Sequence, residues 1–173
     1  MDIDVTWQSG SRGLLRYDSI EVGCALGKAG ITLDKREGDH ATPIGHFPLR
    51  FLFFRDDKLS GLNTQLPHQE ITEHDGWCDA PDHSHYNQYV RLPFDASHEK
   101  LWRDDDLYDL VVILGHNDAP AIPGAGSCIF MHIARGDFEG TEGCIALKKT
   151  DFLELLKVLD ADSHITISPP ATA

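Results

Sequence analysis

Short apolar runs separated by turn-forming residues dominate this chain, and they restrict the folds that it can adopt. Three such runs occupy residues 3–7, 19–26 and 47–54, and they are divided by polar or Gly/Asp/Pro-rich segments at 8–13 and 37–45. Runs of this length, bounded by Gly, Pro, Asp and Ser, are typical of β-strands. The N-terminal half is therefore predicted to be a series of short strands.

The C-terminal half continues the pattern with three more predicted strands and two predicted helices. The strands are expected at 109–114, 129–133 and 164–167, and the helices at 97–103 and 151–159. Each helix would begin after a serine or threonine that can cap it, and the second carries one apolar stripe. Many short strands with few helices predict a mainly β fold, an antiparallel sandwich or barrel with a few short helices.

Composition limits the function classes. The 173 residues include 28 acidic and 15 basic side chains, giving a formal charge of −13, which argues against binding nucleic acid or anionic lipid. The length is that of one domain, residues 1–173. No apolar run reaches the roughly 18 residues of a membrane span, and the first residues lack the pattern of a signal peptide. We therefore expect a cytoplasmic protein whose four cysteines are free thiols, with a periplasmic location as the alternative if a leader has been removed from this sequence.

The strongest chemical signal is a cysteine preceded by glycine, with a histidine twelve positions upstream. Cys144 follows Gly143, and His132 lies within the predicted strand 129–133. A thiol is a good nucleophile only as thiolate, and a nearby imidazole is a common base for it. Gly143 permits a sharp turn in which its N–H and that of Cys144 could stabilise an oxyanion.

Strand geometry predicts where His132 points. Successive side chains of a strand lie on opposite faces. Ile129, Met131 and Ile133 form one apolar set that should face the core, so His132 is expected on the opposite face. Either Asp137 or a backbone carbonyl could orient its ring.

Two separated motifs resemble one known family. The segment 126–147 is similar to the catalytic stretch of the L,D-transpeptidase domain family, in which a strand-borne His precedes Ser/Thr-x-Gly-Cys. Residues 35–47 resemble that family's Lys-x-Gly-Asp-x-x-Thr-Pro-x-Gly-x-Phe segment. The two motifs occur in the family's order, and the resemblance extends over roughly residues 20–168.

The resemblance implies a β-rich fold and a cofactor-free cysteine enzyme. Cys144 would be the nucleophile and His132 the base, acting on a peptidoglycan stem peptide or muropeptide. The bond attacked would join the residue-three diamino acid to the terminal D-Ala. Candidate substrate-binding residues are Thr141, which begins the cysteine motif, Arg135, and His116, which could instead cap a strand.

The chain departs from the family pattern beside the cysteine. Glu142 stands where many members have His, Ala146 stands where many have Arg or Asn, and the loop between His132 and Cys144 is shorter than in better-known members. Together with the expected cytoplasmic location, these differences favour water as the acyl acceptor. The prediction is an L,D-carboxypeptidase that trims tetrapeptides to tripeptides in peptidoglycan recycling, with a cross-linking L,D-transpeptidase as the alternative.

Three other interpretations compete. A zinc hydrolase would use some of the ten histidines, such as His83 and His85, but no CxxC or HExxH spacing is present. Papain-like enzymes place Cys before His, which is the reverse of the order here. A non-catalytic β-rich binding module would carry Cys144 incidentally, and its thiol would be inert where an activated one alkylates quickly.

Overall fold

A computed structural model describes residues 1–172, which form a mainly β structure with fourteen strands, one α-helix and one short 3-10 turn at Asp56–Lys58. The strands are β1 (Asp2–Ser9), β2 (Arg12–Tyr17), β3 (Ile20–Ala25), β4 (Ile31–Thr32), β5 (Thr42–Pro43), β6 (Gly45–Phe54), β7 (His68–Glu70), β8 (Asp75–Cys78), β9 (Tyr89–Arg91), β10 (His98–Lys100), β11 (Leu110–Leu114), β12 (Phe130–Ile133), β13 (Ile145–Leu147) and β14 (His164–Ser168). The helix α1 spans Lys149–Leu156. No helix in residues 1–172 is long and apolar enough to cross a membrane.

Eight of the strands close into a barrel. Their order is β11-β12-β13-β3-β2-β1-β14-β6, and β6 pairs back onto β11, while β7 adds to β6 outside the ring. The ten-residue β6 makes closure possible because its first part pairs with β14 and its remainder pairs with β11. A closed sheet leaves few unpaired strand edges.

The predicted mainly β class is confirmed, but the predicted antiparallel arrangement is only partly correct. Three pairs of the large sheet run parallel, β1 with β14, β12 with β13, and β6 with β7. The parallel pairs join segments that are distant in sequence or linked by a crossover. Such pairs cannot be made by a short hairpin. The sheet is therefore mixed, and its shape is that of a barrel.

Two apolar layers flank the strands that carry the predicted nucleophile and base. The barrel interior holds one cluster, which includes Ile129, Met131 and Ile133 as the alternation predicts. A second cluster lies on the outer face and contains Cys128, Phe130 and Cys144. The small sheet β10-β8-β9 covers this outer cluster, and the ring of Trp77 from β8 meets Phe130 edge-on at 5.4 Å.

The prediction of a helix over 97–103 is wrong. Residues His98–Lys100 form β10, which pairs antiparallel with β8. Ser97, the expected helix cap, donates its hydroxyl to Asp79 Oδ1 at 2.6 Å. The second predicted helix exists, but it begins at Lys149 and ends at Leu156, so its N-cap position is Lys148 rather than Thr150.

Candidate functional site

The parallel pair β12–β13 brings Cys144 and His132 to one face of the barrel wall. In its register His132 lies opposite Ala146, and Cys144 immediately precedes β13. Standard strand spacing puts the Cα atoms of Cys144 and His132 roughly 8 Å apart on this diagonal. Both side chains line a cavity of about 470 Å³. The structure therefore brings the two predicted catalytic groups to one cavity.

Cys144 is a buried thiol in this arrangement. Its side chain belongs to a residue that is 8% exposed, and its Sγ donates a hydrogen bond to the carbonyl oxygen of Cys128 at 3.2 Å. Burial, reinforced by the negative charge of Glu99, raises the pKa of Cys144 to about 12. At neutral pH the resting group is therefore the protonated thiol.

His132 is held as a neutral ring with one free nitrogen. Its Nδ1 lies 2.9 Å from the carbonyl oxygen of Ile133 and, since a carbonyl only accepts, Nδ1 carries the proton. Burial lowers the pKa of His132 to about 4. The positive charge of Arg103 lowers it further, whereas the hydrogen bond to Ile133 acts in the opposite direction. Nε2 is thus left as a proton acceptor. The orienting group is a backbone carbonyl, whereas Asp137 pairs with Arg12.

The turn before Cys144 depends on glycine and on one threonine hydroxyl. Gly143 has φ +138°, and a Cβ there would lie 2.9 Å from the carbonyl oxygen of Ala41. Thr141 Oγ1 accepts from the Gly143 N–H at 3.1 Å and donates to the Cys144 carbonyl at 2.7 Å. To stabilise an oxyanion, the Gly143 N–H would therefore have to leave Thr141 Oγ1 and donate to the substrate oxygen instead. The oxyanion role of Gly143 stays a prediction.

The three predicted substrate-binding residues do not lie together. Thr141 and Arg135 line the cavity with Cys144, but His116 is not among its lining residues. His116 Nε2 donates to the carbonyl oxygen of Ala125 at 3.0 Å, and its ring packs edge-on against Phe47. These contacts give His116 a structural part outside the cavity wall.

Comparison with known proteins identifies the family of this site. The family model described as the L,D-transpeptidase catalytic domain, YkuD, matches residues 5–167. This chain belongs to that family. Searches of curated proteins and of solved structures returned no match. The reaction of the L,D-transpeptidase family is cysteine-dependent acyl transfer on peptidoglycan stem peptides.

The two motifs of this L,D-transpeptidase domain meet at the cavity. Glu142, which stands where many members have His, contacts Nδ1 of His40 and receives a bond from Lys28 Nζ at 2.5 Å. His40 comes from the upstream motif, as does Lys35, whose side chain is buried beside Asp39. The upstream motif thus forms part of the cavity wall, and its His40 contacts Glu142, the position at which many family members have His.

Sequence reasoning missed the residues that surround His132 on its other side. The Tyr108 ring meets the His132 ring at 5.4 Å between centroids, and its hydroxyl donates to Glu99 Oε2 at 2.8 Å. The guanidinium of Arg103 lies 5.0 Å from the Tyr108 ring centroid. Burial raises the pKa of both Glu99 and Tyr108, so both hold their protons more strongly than usual. No local pattern marks these residues, because Glu99 and Arg103 fall in the segment predicted to be a helix and Tyr108 lies just before the predicted strand 109–114.

A metal centre finds no support in residues 1–172, where no three His, Cys, Asp or Glu side chains come together as ligands. The rings of His83 and His85 lie 5.3 Å apart, but they pack around Phe94 rather than around a third ligand.

We expect Cys144 to alkylate slowly with iodoacetamide at neutral pH although it lines the cavity, so the labelling rate of the resting protein does not by itself distinguish the enzyme from a binding module with an inert thiol. Only thiolate reacts, and a pKa of about 12 leaves roughly one part in 10⁵ as thiolate at pH 7. The rate should rise about tenfold per pH unit while the protein stays folded. Peptide mapping by mass spectrometry measures it, with the barrel-core residue Cys24 as an unlabelled control. Rapid, stoichiometric labelling of Cys144 at pH 7 would instead reveal a thiolate–imidazolium pair at rest.

Proposed function

We propose that this L,D-transpeptidase-family domain is an L,D-carboxypeptidase acting on peptidoglycan tetrapeptide stems. It cleaves the bond between the residue-three diamino acid and the terminal D-Ala and passes the acyl group to water. The observation that carries the proposal is the common cavity of Cys144 and His132, with His132 Nε2 left free by the bond between its Nδ1 and Ile133. We propose soluble muropeptides in the cytoplasm as its substrates, in peptidoglycan recycling.

The resting charges of the pair define how the first step proceeds. With the pKa of Cys144 near 12 and that of His132 near 4, the neutral pair is the stable form before substrate binds. Proton transfer from Sγ to Nε2 therefore accompanies attack of sulfur on the carbonyl carbon, rather than preceding it. The imidazolium then returns its proton to the nitrogen of D-Ala as the C–N bond breaks.

The second step releases the tripeptide. The thioester on Cys144 is attacked by a water molecule whose proton passes to His132 Nε2. The C–S bond breaks, the thiol regains the proton, and the stem leaves with a carboxylate on residue three. Both steps use the same two side chains, as expected of covalent catalysis by a nucleophile and its base.

Two features support water over an amine as the acceptor. The cavity volume of about 470 Å³ is near the lower end of the range for ligand pockets, roughly 300–1,000 Å³, and suits one peptide end better than two. Ala146, opposite His132, adds no charged or hydrogen-bonding side chain where many family members have Arg or Asn. The alternative, cross-linking, is favoured by Asp79 in the cavity wall, since a carboxylate attracts an ammonium acceptor.

The product pattern from a single substrate tests the proposal. We expect the purified protein to convert a disaccharide-tetrapeptide into the disaccharide-tripeptide, seen by mass spectrometry as loss of one alanine without dimers. The disaccharide-tripeptide is the matched control and should remain unchanged, because it has no terminal D-Ala. Dominant dimer formation would replace the carboxypeptidase with a cross-linking transpeptidase.

A further inference from the structure

The charges around the cavity are distributed unevenly. Lys28 and Lys35 are each matched by an acid at 2.5 Å, Glu142 and Asp39 respectively. At the His132 end, by contrast, two arginines share the single carboxylate of Asp105. Glu99, Asp79 and Glu139 also line the cavity, but within residues 1–172 none of them accepts a hydrogen bond from either arginine, so these two guanidinium groups are less fully paired than the lysines.

We propose that Arg103, assisted by Arg135, binds the C-terminal carboxylate of the substrate and thereby selects stems that end in a free acid. This assignment rests on the proposed function, since that carboxylate belongs to the D-Ala that leaves. It makes Arg103 a specificity-determining residue of the site.

Arg103 is held in position for such a contact. Its Nε and Nη2 donate to the two oxygens of Asp105 at 2.8 and 2.7 Å, which fixes the plane of the guanidinium. That guanidinium faces Tyr108, whose ring in turn meets His132, so the three side chains form a continuous row. Nη1 of Arg103 has no hydrogen-bond partner in the part of the chain that the structure describes, and the residue lines the cavity.

Arg135 adds a second cation at the same end. It follows β12 three positions after His132, and its side chain is 55% exposed. Its contact with Asp105 is one long bond at 3.4 Å, so most of its donors remain available to a ligand. A guanidinium pair is well suited to a carboxylate because each offers several N–H groups in a fixed plane.

The chemistry of the leaving group places a carboxylate at this end. Cys144 attacks the acyl carbon, and His132 must protonate the departing nitrogen. The D-Ala carboxylate is bonded to the carbon that carries this nitrogen, so it lies within a few bonds of the His132 ring. The cations beside His132, rather than the paired lysines of the opposite wall, are the groups that it can reach.

Binding of a carboxylate there would also act on the base. The positive charges of Arg103 and Arg135 both help to lower the pKa of His132. An anion placed between them offsets part of that effect and raises the pKa of His132. The imidazole is therefore a stronger base when a substrate with a free C-terminal acid occupies the cavity.

Binding to an inactive protein tests the assignment independently of turnover. In a Cys144→Ala background, calorimetric titration should show the tetrapeptide acid binding about tenfold more tightly than its C-terminal amide. Adding Arg103→Gln should bring the two affinities close together, and Arg103→Lys should retain part of the preference because the charge remains. Arg50→Gln is the matched control, since Arg50 makes the same fork with Asp118 outside the cavity.

The outcomes separate this inference from the proposed function. A preference for the acid that survives both Arg103→Gln and the double variant Arg103→Gln/Arg135→Gln would overturn the assignment of Arg103. Equal binding of acid and amide by the Cys144→Ala protein would overturn it too, as would binding of neither peptide. Circular dichroism checks that each variant is folded, and the Lys variant supplies the test if the Gln variant is not. Failure of the active protein to cleave the tetrapeptide acid would instead overturn the proposed carboxypeptidase activity. The binding preference of the inactive protein would still test whether Arg103 binds the carboxylate.

Discussion

Cys144→Ala is expected to abolish conversion of the tetrapeptide to the tripeptide. The thioester needs the sulfur of Cys144; Cys128 also lines the cavity, but burial raises the pKa of its thiol well above the ordinary value, and within residues 1–172 no hydrogen bond pairs it with His132. Mass spectrometry of the muropeptide product measures the loss. Cys24→Ala, which removes a free thiol from the barrel core, should retain turnover.

Residual activity would redirect the assignment of the site. Full turnover by Cys144→Ala, or loss of wild-type turnover on chelation that zinc restores, would point to a metallohydrolase. We expect chelators to leave the wild type unaffected. Turnover of one substrate, measured for the Cys144→Ala variant and for the chelator-treated wild type, thus distinguishes a cysteine enzyme from a metal enzyme.

His132→Ala is expected to lower kcat/KM by roughly 10²–10⁴-fold, the usual contribution of a positioned general base. The same residue should set the acid limb of the pH profile. Because the pKa of His132 is lowered to about 4, the ring stays neutral above that pH, and wild-type activity should fall only as the pH drops through about 4. Values of kcat/KM across pH, which report the free enzyme, measure both effects.

The His132 control is an exposed histidine elsewhere on the barrel. His46→Ala removes a ring that stacks on His164 at 4.8 Å and is not among the cavity-lining residues, and should leave both the rate and the acid limb unchanged. An acid limb near pH 6.5 in the wild type would contradict the buried, neutral imidazole. If the acid limb of the pH profile persists in His132→Ala, a group other than His132 causes it.

The parts of the fold that follow local patterns could be read from sequence. The alternation of 129–133 predicts both faces of β12, because side-chain direction along a strand depends only on position. The strand at 98–100 could not be recognised, since its partner β8 lies about twenty residues earlier and pairing overrides the local helix preference. The parallel contact of β1 with β14 joins the two ends of the described chain, and no local signal predicts it.

The candidate site shows the same division. Cys144 and His132 were found because a compact motif surrounds them, and the family match supports that motif. Tyr108, Glu99 and Arg103 were missed because their importance comes from contacts across the cavity with His132 and with one another. The burial that raises the pKa of Cys144 was also hidden, since it depends on the outer apolar layer that the small sheet completes.

The walls of the cavity come from different parts of the fold, and this has an evolutionary consequence. The barrel supplies the predicted base on β12 and the predicted nucleophile just before β13, whereas β10 and the connection that follows it supply the wall with Glu99, Arg103 and Tyr108. Mutations in that wall can change which peptide ends are accepted without disturbing the apolar interior on which stability depends. Divergence in substrate preference among domains built this way should therefore concentrate in the wall, while the barrel stays constrained by its packing.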